Sequence, residues 1–141
     1  MPFGSNAIRM QALKGVFGDD AVSLGAPATL YIALLRQPSG PGVTLGTEPS
    51  STGNYARVAV SNDYDELSFT APALTNVHEI RWPQATGLYS ITDPLNQWAI
   101  YDNNSGGNLI AFGELSPTIT VTGAGDEPVI PAGDFDLSMD A

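Results

Sequence analysis

The sequence predicts an all-β protein: a single antiparallel β-sandwich or barrel carrying one short N-terminal helix. Three observations predict it. Short stretches from residue 27 onward alternate apolar and polar side chains, the period of a half-buried strand. Gly and Pro, 15 and 11 in number, gather between those stretches and punctuate turns. Only one segment, near the start, repeats its apolar residues at helical spacing. With 141 residues and 43% hydrophobic content, the chain is the size of one domain with a core of its own. Residues 1–26 form the expected helical segment, and residues 27–141 the β domain, with a long loop at 38–53.

The helix rests on Ser5 or Asn6 as cap, followed by Ala7, Met10, Leu13 and Phe17 with Val16 beside them. Gly15 weakens it and Gly18 ends it. Such a stripe either packs on its own domain or docks on another subunit, which makes Met10, Leu13 and Phe17 candidate protein contacts. The pattern then changes to period 2. In "TLYIALLRQ", Leu30, Ile32 and Leu34 share one face, and Tyr31, Ala33 and Leu35 the other. Both faces are apolar, as expected of a central strand covered on both sides. The following "PSGPGVTLGTEPSSTG", Pro38 to Gly53, is long for a connection inside a compact domain, and reads as a mobile tip or a segment ordered by a partner.

"TGNYARVAV" places Tyr55, Arg57 and Ala59 on a half-wetted face and Ala56, Val58 and Val60 on a core face. Arg57 is thereby set to meet a carboxylate of its own chain or of a neighbour, and is the fourth candidate contact. "HEIRW" puts His78 with Ile80 and Trp82; "GLYSIT" turns Tyr89 and Ile91 inward, and "QWAIYD" does the same for Trp98 and Ile100. "NLIAFGEL" and "TITVTG" read as two further strands. The closing "DFDLSMDA" alternates strictly, with Phe135, Leu137 and Met139 in, and Asp134, Asp136, Ser138 and Asp140 out.

Charge excludes several partners. Five Lys and Arg stand against 15 Asp and Glu, for a net charge of −10, and the cations are scattered at Arg9, Lys14, Arg36, Arg57 and Arg81. Nucleic acid requires clustered cations to displace its counterions, and an anionic membrane surface repels such a chain. Cys is absent, so no disulfide or thiolate chemistry exists. No apolar run reaches the length of a membrane span, and no cationic and apolar leader opens the sequence, so a signal peptide is not expected.

No catalytic pattern emerges. His78 is the single imidazole and, on an apolar face, reads as a structural residue rather than a base. There is no G-x-S-x-G elbow and no phosphate loop. The acidic runs "NDYDE", "GDD" and "GDE" lie in turn-like, solvated stretches, without the burial that raises a catalytic carboxyl. "DNNSGG", Asp102 to Gly107, opens like a calcium loop, but its fifth and twelfth positions are Gly106 and Gly113. It reads as a hairpin turn, and no metal or cofactor is expected. The aromatics Tyr55, Tyr64, Trp82, Tyr89, Trp98 and Tyr101 suit a core or subunit contact better than a sugar platform.

Taken in order, "ATLYIALLRQPSGPG", "GNYARVAVSN", "WPQATG", "IYDNNSGGNLIAFGEL" and "PAGDFDLSMD" resemble a group of small virion-associated proteins of tailed bacteriophages, tail-fibre-like or of decoration type. The resemblance runs from about Pro27 to the end, with "GNYARVAV" and "SGGNLIAFG" its most specific parts. It implies a structural virion component without an active site, made in the host cytoplasm. Its partners would be the major capsid or tail proteins and further copies of itself, with no nucleic acid and no membrane. Compact size and acidity favour a capsid decoration or cement protein; the alternative is a tail, baseplate or tail-fibre module that touches the host surface through exposed aromatics.

Overall fold

The computed structural model describes residues 16–18, 22, 25–39, 44–70 and 73–138. Its elements are β1 (Thr29–Leu35), a 3-10 turn (Thr52–Asn54), β2 (Val58–Ser61), β3 (Leu67–Thr70), β4 (Ala73–Asn76), β5 (Ile80–Arg81), β6 (Leu95–Tyr101), β7 (Leu109–Ile119), β8 (Val129–Ile130) and β9 (Asp136–Ser138). The sheet orders are β2-β1-β6-β7, β3-β4-β9 and β5-β8. The β1–β6, β6–β7, β3–β4 and β4–β9 pairs are all antiparallel. The protein is all-β, as its alternating stretches require.

Of the expected helix, residues up to Gly15, with Met10 and Leu13, lie outside the described residues, while Val16–Gly18 form a turn and a bend. The chain divides into two compact units, one drawn from Met1–Thr29, Val60–Ile80 and Ile130–Ala141, the other from Leu30–Ala59 and Arg81–Val129.

In the second unit, β1 and β6 pair from Tyr31↔Tyr101 to Leu35↔Gln97, and β6 continues onto β7. Both are interior strands of their sheet, with both edges paired, and side chains on both faces of each are covered. Leu30, Ile32, Ala33, Leu34 and Leu35 on β1, and Leu95, Trp98, Ala99 and Ile100 on β6, are accordingly all buried. Gly113 of β7 faces Trp98, and a Cβ there would stand 2.6 Å from the indole ring, so only glycine admits the ring. "NLIAFGEL" lies in β7, which runs on to Ile119 and takes in only the first two residues of "TITVTG"; Thr120–Gly123 form no strand, contrary to expectation. "GLYSIT" forms no strand, although its Tyr89 is buried at 2% exposure.

The described part of the long excursion is held by the chain's own groups. Arg36 and Thr47 exchange backbone hydrogen bonds of 2.9 and 3.0 Å. The fully buried Gln97 accepts from Gly46 N at 2.7 Å and donates to Thr44 O at 2.8 Å. A buried amide left without those two partners would destabilise the sheet, so the excursion and β6 require each other.

In the first unit, two buried asparagines fix irregular backbone. Asn62 donates to Val16 O and Pro27 O and accepts from Gly18 N. Asn76 donates to His78 O and Pro131 O and accepts from Phe135 N. Among the described residues of this unit, Phe17, Leu67, Leu74, Ile80, Ile130 and Phe135 are the buried apolar side chains. In the closing segment Phe135 is buried and Asp134 exposed, as alternation predicts; Met139 and Asp140, and the side chains of Asp136, Leu137 and Ser138, lie outside the description. His78 departs from its expected place. β5 begins only at Ile80, so alternation does not reach back to the imidazole, which is 66% exposed and lies 3.5 Å from Glu66.

Candidate functional site

The most elaborate polar arrangement in the second unit is centred on Arg57. Its position is set by the 3-10 turn before it, where Gly53 and Asn54 take φ of 72° and 73°. A side chain at Gly53 would stand 2.5 Å from Leu88 O, and Gly53 O accepts from Thr86 N at 3.0 Å. Emerging from this turn, Tyr55 is buried and Ala56 exposed, opposite to the faces expected for them. The reason is local: β2 begins at Val58, so Tyr55–Arg57 are not yet under strand alternation. Tyr55 instead packs edge-on against Tyr89, ring centroids 5.3 Å apart. Its hydroxyl accepts from Leu34 N at 3.1 Å and donates to Glu48 Oε2 at 2.7 Å.

Arg57 meets the same carboxylate. Its Nε lies 2.9 Å from Glu48 Oε2 and its Nη2 2.9 Å from Oε1, the bidentate geometry that a planar guanidinium allows. Nη1 points the other way and donates to Asn103 O and Gly106 O, both at 2.8 Å. The guanidinium carbon stands 3.7 Å from the centre of the Tyr101 ring, a cation–π contact. The Arg57 side chain retains 7% exposure and that of Glu48 22%. Hydrogen bonding to Glu48 raises the Arg57 pKa, so the charge is fixed at any ordinary pH. Burial, then the Glu48 charge, pushes the Tyr55 hydroxyl far above its usual range. Burial likewise raises Tyr101.

Arg57 thus shapes "DNNSGG". Asp102 accepts from Asn108 N at 2.7 Å through Oδ1 and from Asn108 Nδ2 at 2.9 Å through Oδ2. The backbone hydrogen bond first, then the amide, holds the Asp102 carboxyl below its ordinary pKa. The segment is the turn between β6 and β7, and its carboxylate is occupied by its own backbone.

Of the four residues read as possible contacts, Met10 and Leu13 lie outside the described residues. Phe17 is buried at 3% exposure, and Arg57 is engaged inside its own unit. Sequence reasoning missed Glu48. The available signal was that Glu48 is the single acid in the otherwise uncharged stretch Pro38–Gly53. Of the six aromatics considered, Tyr55, Trp82, Tyr89 and Trp98 are buried core, Tyr101 lies under Arg57, and Tyr64 is 39% exposed. Five of the six, all in the second unit, help to build its interior.

Among the described residues, Arg57, Asn62, Asn76 and Gln97 spend their polar groups on fixing loops. The family model described as the podophage GP4 fiber I protein gp80 matches residues 4–138, and the chain belongs to that family. No curated protein matches it. The protein is therefore a phage fibre-type virion component, and the family favours the tail-fibre alternative over capsid decoration.

Proposed function

We propose that the protein is a non-enzymatic structural module of a podophage tail fibre, joined to other virion proteins and to copies of itself and placed toward the host surface. The match to a fibre-protein family over residues 4–138 carries this reading. The fold agrees with it. Arg57 is bound to Glu48 and Arg81 Nη1 lies 2.8 Å from Glu127 Oε1, so both cations act in loop and strand fastening. The net charge of −10 keeps such a module soluble during synthesis in the host cytoplasm. The test is gold-labelled antibody on intact particles, with the protein quantified against the major capsid protein. Label confined to the tail and a low copy number support the reading. Label spread over the capsid, with hundreds of copies per particle, would replace it with decoration.

A further inference from the structure

We infer that Arg36 is an intersubunit contact that takes the carboxylate of Asp65 from a second copy of this chain. The inference rests on the fibre reading and deepens it, naming the surface through which copies join.

Two other described cations are paired within the chain: Arg57 holds Glu48 and Arg81 holds Glu127. Arg36, half-buried directly after β1, has no carboxylate partner among the described residues. Its Nη1 donates to Pro94 O at 2.9 Å, which holds the guanidinium in place. Its Nε is buried without a hydrogen-bond partner. Arg57 shows the complete arrangement, with Nη1 on carbonyls and the edge formed by Nε and Nη2 filled by both oxygens of Glu48. Arg36 has the carbonyl and lacks the carboxylate. Even Asp93, next to Pro94 in the chain, forms no ion pair with it. A buried donor without an acceptor is costly, and a carboxylate from outside the chain removes that cost. In the segment whose Thr47 exchanges backbone hydrogen bonds with Arg36, Leu45 is 39% exposed, so the same corner offers an apolar contact.

The fitting counterpart is a carboxylate beside an exposed apolar side chain, on backbone that presents both. The turn before β3 has these properties. Asp65 is exposed and its carboxylate has no partner among the described residues; Tyr64, before it, is 39% exposed. Asp63 Oδ1 accepts from Asp65 N at 3.1 Å and from Glu66 N at 3.0 Å, and Asn62 ties the base of the turn to Val16, Gly18 and Pro27. The turn is ordered before contact, so docking loses little entropy. Glu114 and Asp134 are exposed as well, but each stands between a glycine and a buried side chain, Leu115 or Phe135. The Arg36 corner belongs to the second unit and the Asp65 turn to the first, so the contact joins unlike surfaces and every copy offers both. Copies of net charge −10 repel one another, and a cation at their contact offsets that repulsion where it is greatest.

The test is sedimentation velocity of the full chain over a concentration series, at low and at high salt. Association that rises with concentration and weakens with salt is expected. Arg36→Glu and Asp65→Lys each place like charges together and should weaken association at least about tenfold, whereas the double exchange Arg36→Glu/Asp65→Lys should restore it. Arg36→Gln keeps the fold in view: association should fall while thermal melting stays close to that of the unaltered protein. Glu114→Lys makes the same change of charge elsewhere and should not weaken association. A chain that is monomeric at every concentration, single variants that associate undiminished, a double exchange that recovers nothing, or an equal loss in Glu114→Lys would each overturn the inference. Tail label on particles together with a monomeric chain would defeat this contact and leave the fibre reading standing.

Discussion

Replacing Arg57 by Ala should destabilise the second unit by about 3 kcal/mol, the low end of the roughly 3–5 kcal/mol seen when one partner of a buried ion pair is removed. The low end applies because Glu48 keeps 22% exposure and can recover some hydration, while Arg57 itself retains only 7%. The loss has three parts. The carboxylate loses its bidentate donor, the carbonyls of Asn103 and Gly106 lose theirs, and the Tyr101 ring loses the cation above it. For a chain of this length, 1 kcal/mol moves the melting temperature by about 3–5 °C, so a fall of about 10 °C or more is expected. Calorimetry and urea unfolding measure it. Arg57→Lys separates charge from geometry, since an ammonium can satisfy the carboxylate but cannot also reach both carbonyls; a loss of about 2 kcal/mol is expected. A fall below about 2 °C for Arg57→Ala would show the pair to act as an exposed surface bridge, worth at most about 1 kcal/mol, and the reasoning from burial would fail.

Asn62→Ala removes the amide that serves Gly18 N, Val16 O and Pro27 O, and urea unfolding should show a loss of about 3 kcal/mol from the groups left unpaired. Gly53→Ala meets both a positive φ and the Leu88 carbonyl, so a loss of about 2 kcal/mol is expected in the same assay. Tyr55 is a neutral acid with a raised folded-state pKa, so its contribution is complete below the unfolded value of about 10 and is lost as pH rises above it; Tyr55→Phe should flatten the alkaline limb of a melting-temperature profile. Asp102 shifts the other way: its contribution is present above the unfolded carboxyl pKa and is lost as pH falls through the lower folded value. In an NMR titration its carboxyl carbon and the Asn108 amide should move together, below the ordinary aspartate range.

The sequence made the interior strands legible because burial on both faces leaves an unambiguous trace. The run from Leu30 to Leu35 is apolar throughout, and β1 lies between β2 and β6. Pattern failed where alternation was extended past the end of a strand. Alternation puts His78 on the Ile80 face although β5 starts two residues later, and gives Tyr55 and Ala56 the opposite burial although β2 starts at Val58. "GLYSIT" misled for a related reason. An irregular segment can bury Tyr89 without any strand, because an aromatic ring gains from burial whatever its backbone does. The Arg57 arrangement was legible only in part. A lone strand-adjacent Arg in an acidic chain implied a carboxylate, but neither Glu48 nor the two carbonyl oxygens carry a periodic signal.

What periodicity leaves undetermined here is the backbone between strands, and the same device settles it repeatedly. Gln97 reaches Thr44 and Gly46, Asn76 reaches His78, Pro131 and Phe135, and Arg57 reaches Asn103 and Gly106. Each is a side chain with several donors or acceptors, shielded from water and turned onto main-chain groups that no ladder serves. Where such main-chain groups are buried, leaving them unpaired is costly; where they are exposed, as at Asn103 and Gly106, the side chain instead fixes the conformation of the loop. Arg57 is the extreme case. With few cations to place, the chain sets one between an acidic excursion and the turn joining β6 to β7, where the five N–H groups of a guanidinium can satisfy a carboxylate and two carbonyls together. Lysine has too few donors in too compact a group for that task, which explains why an arginine stands in "TGNYARVAV".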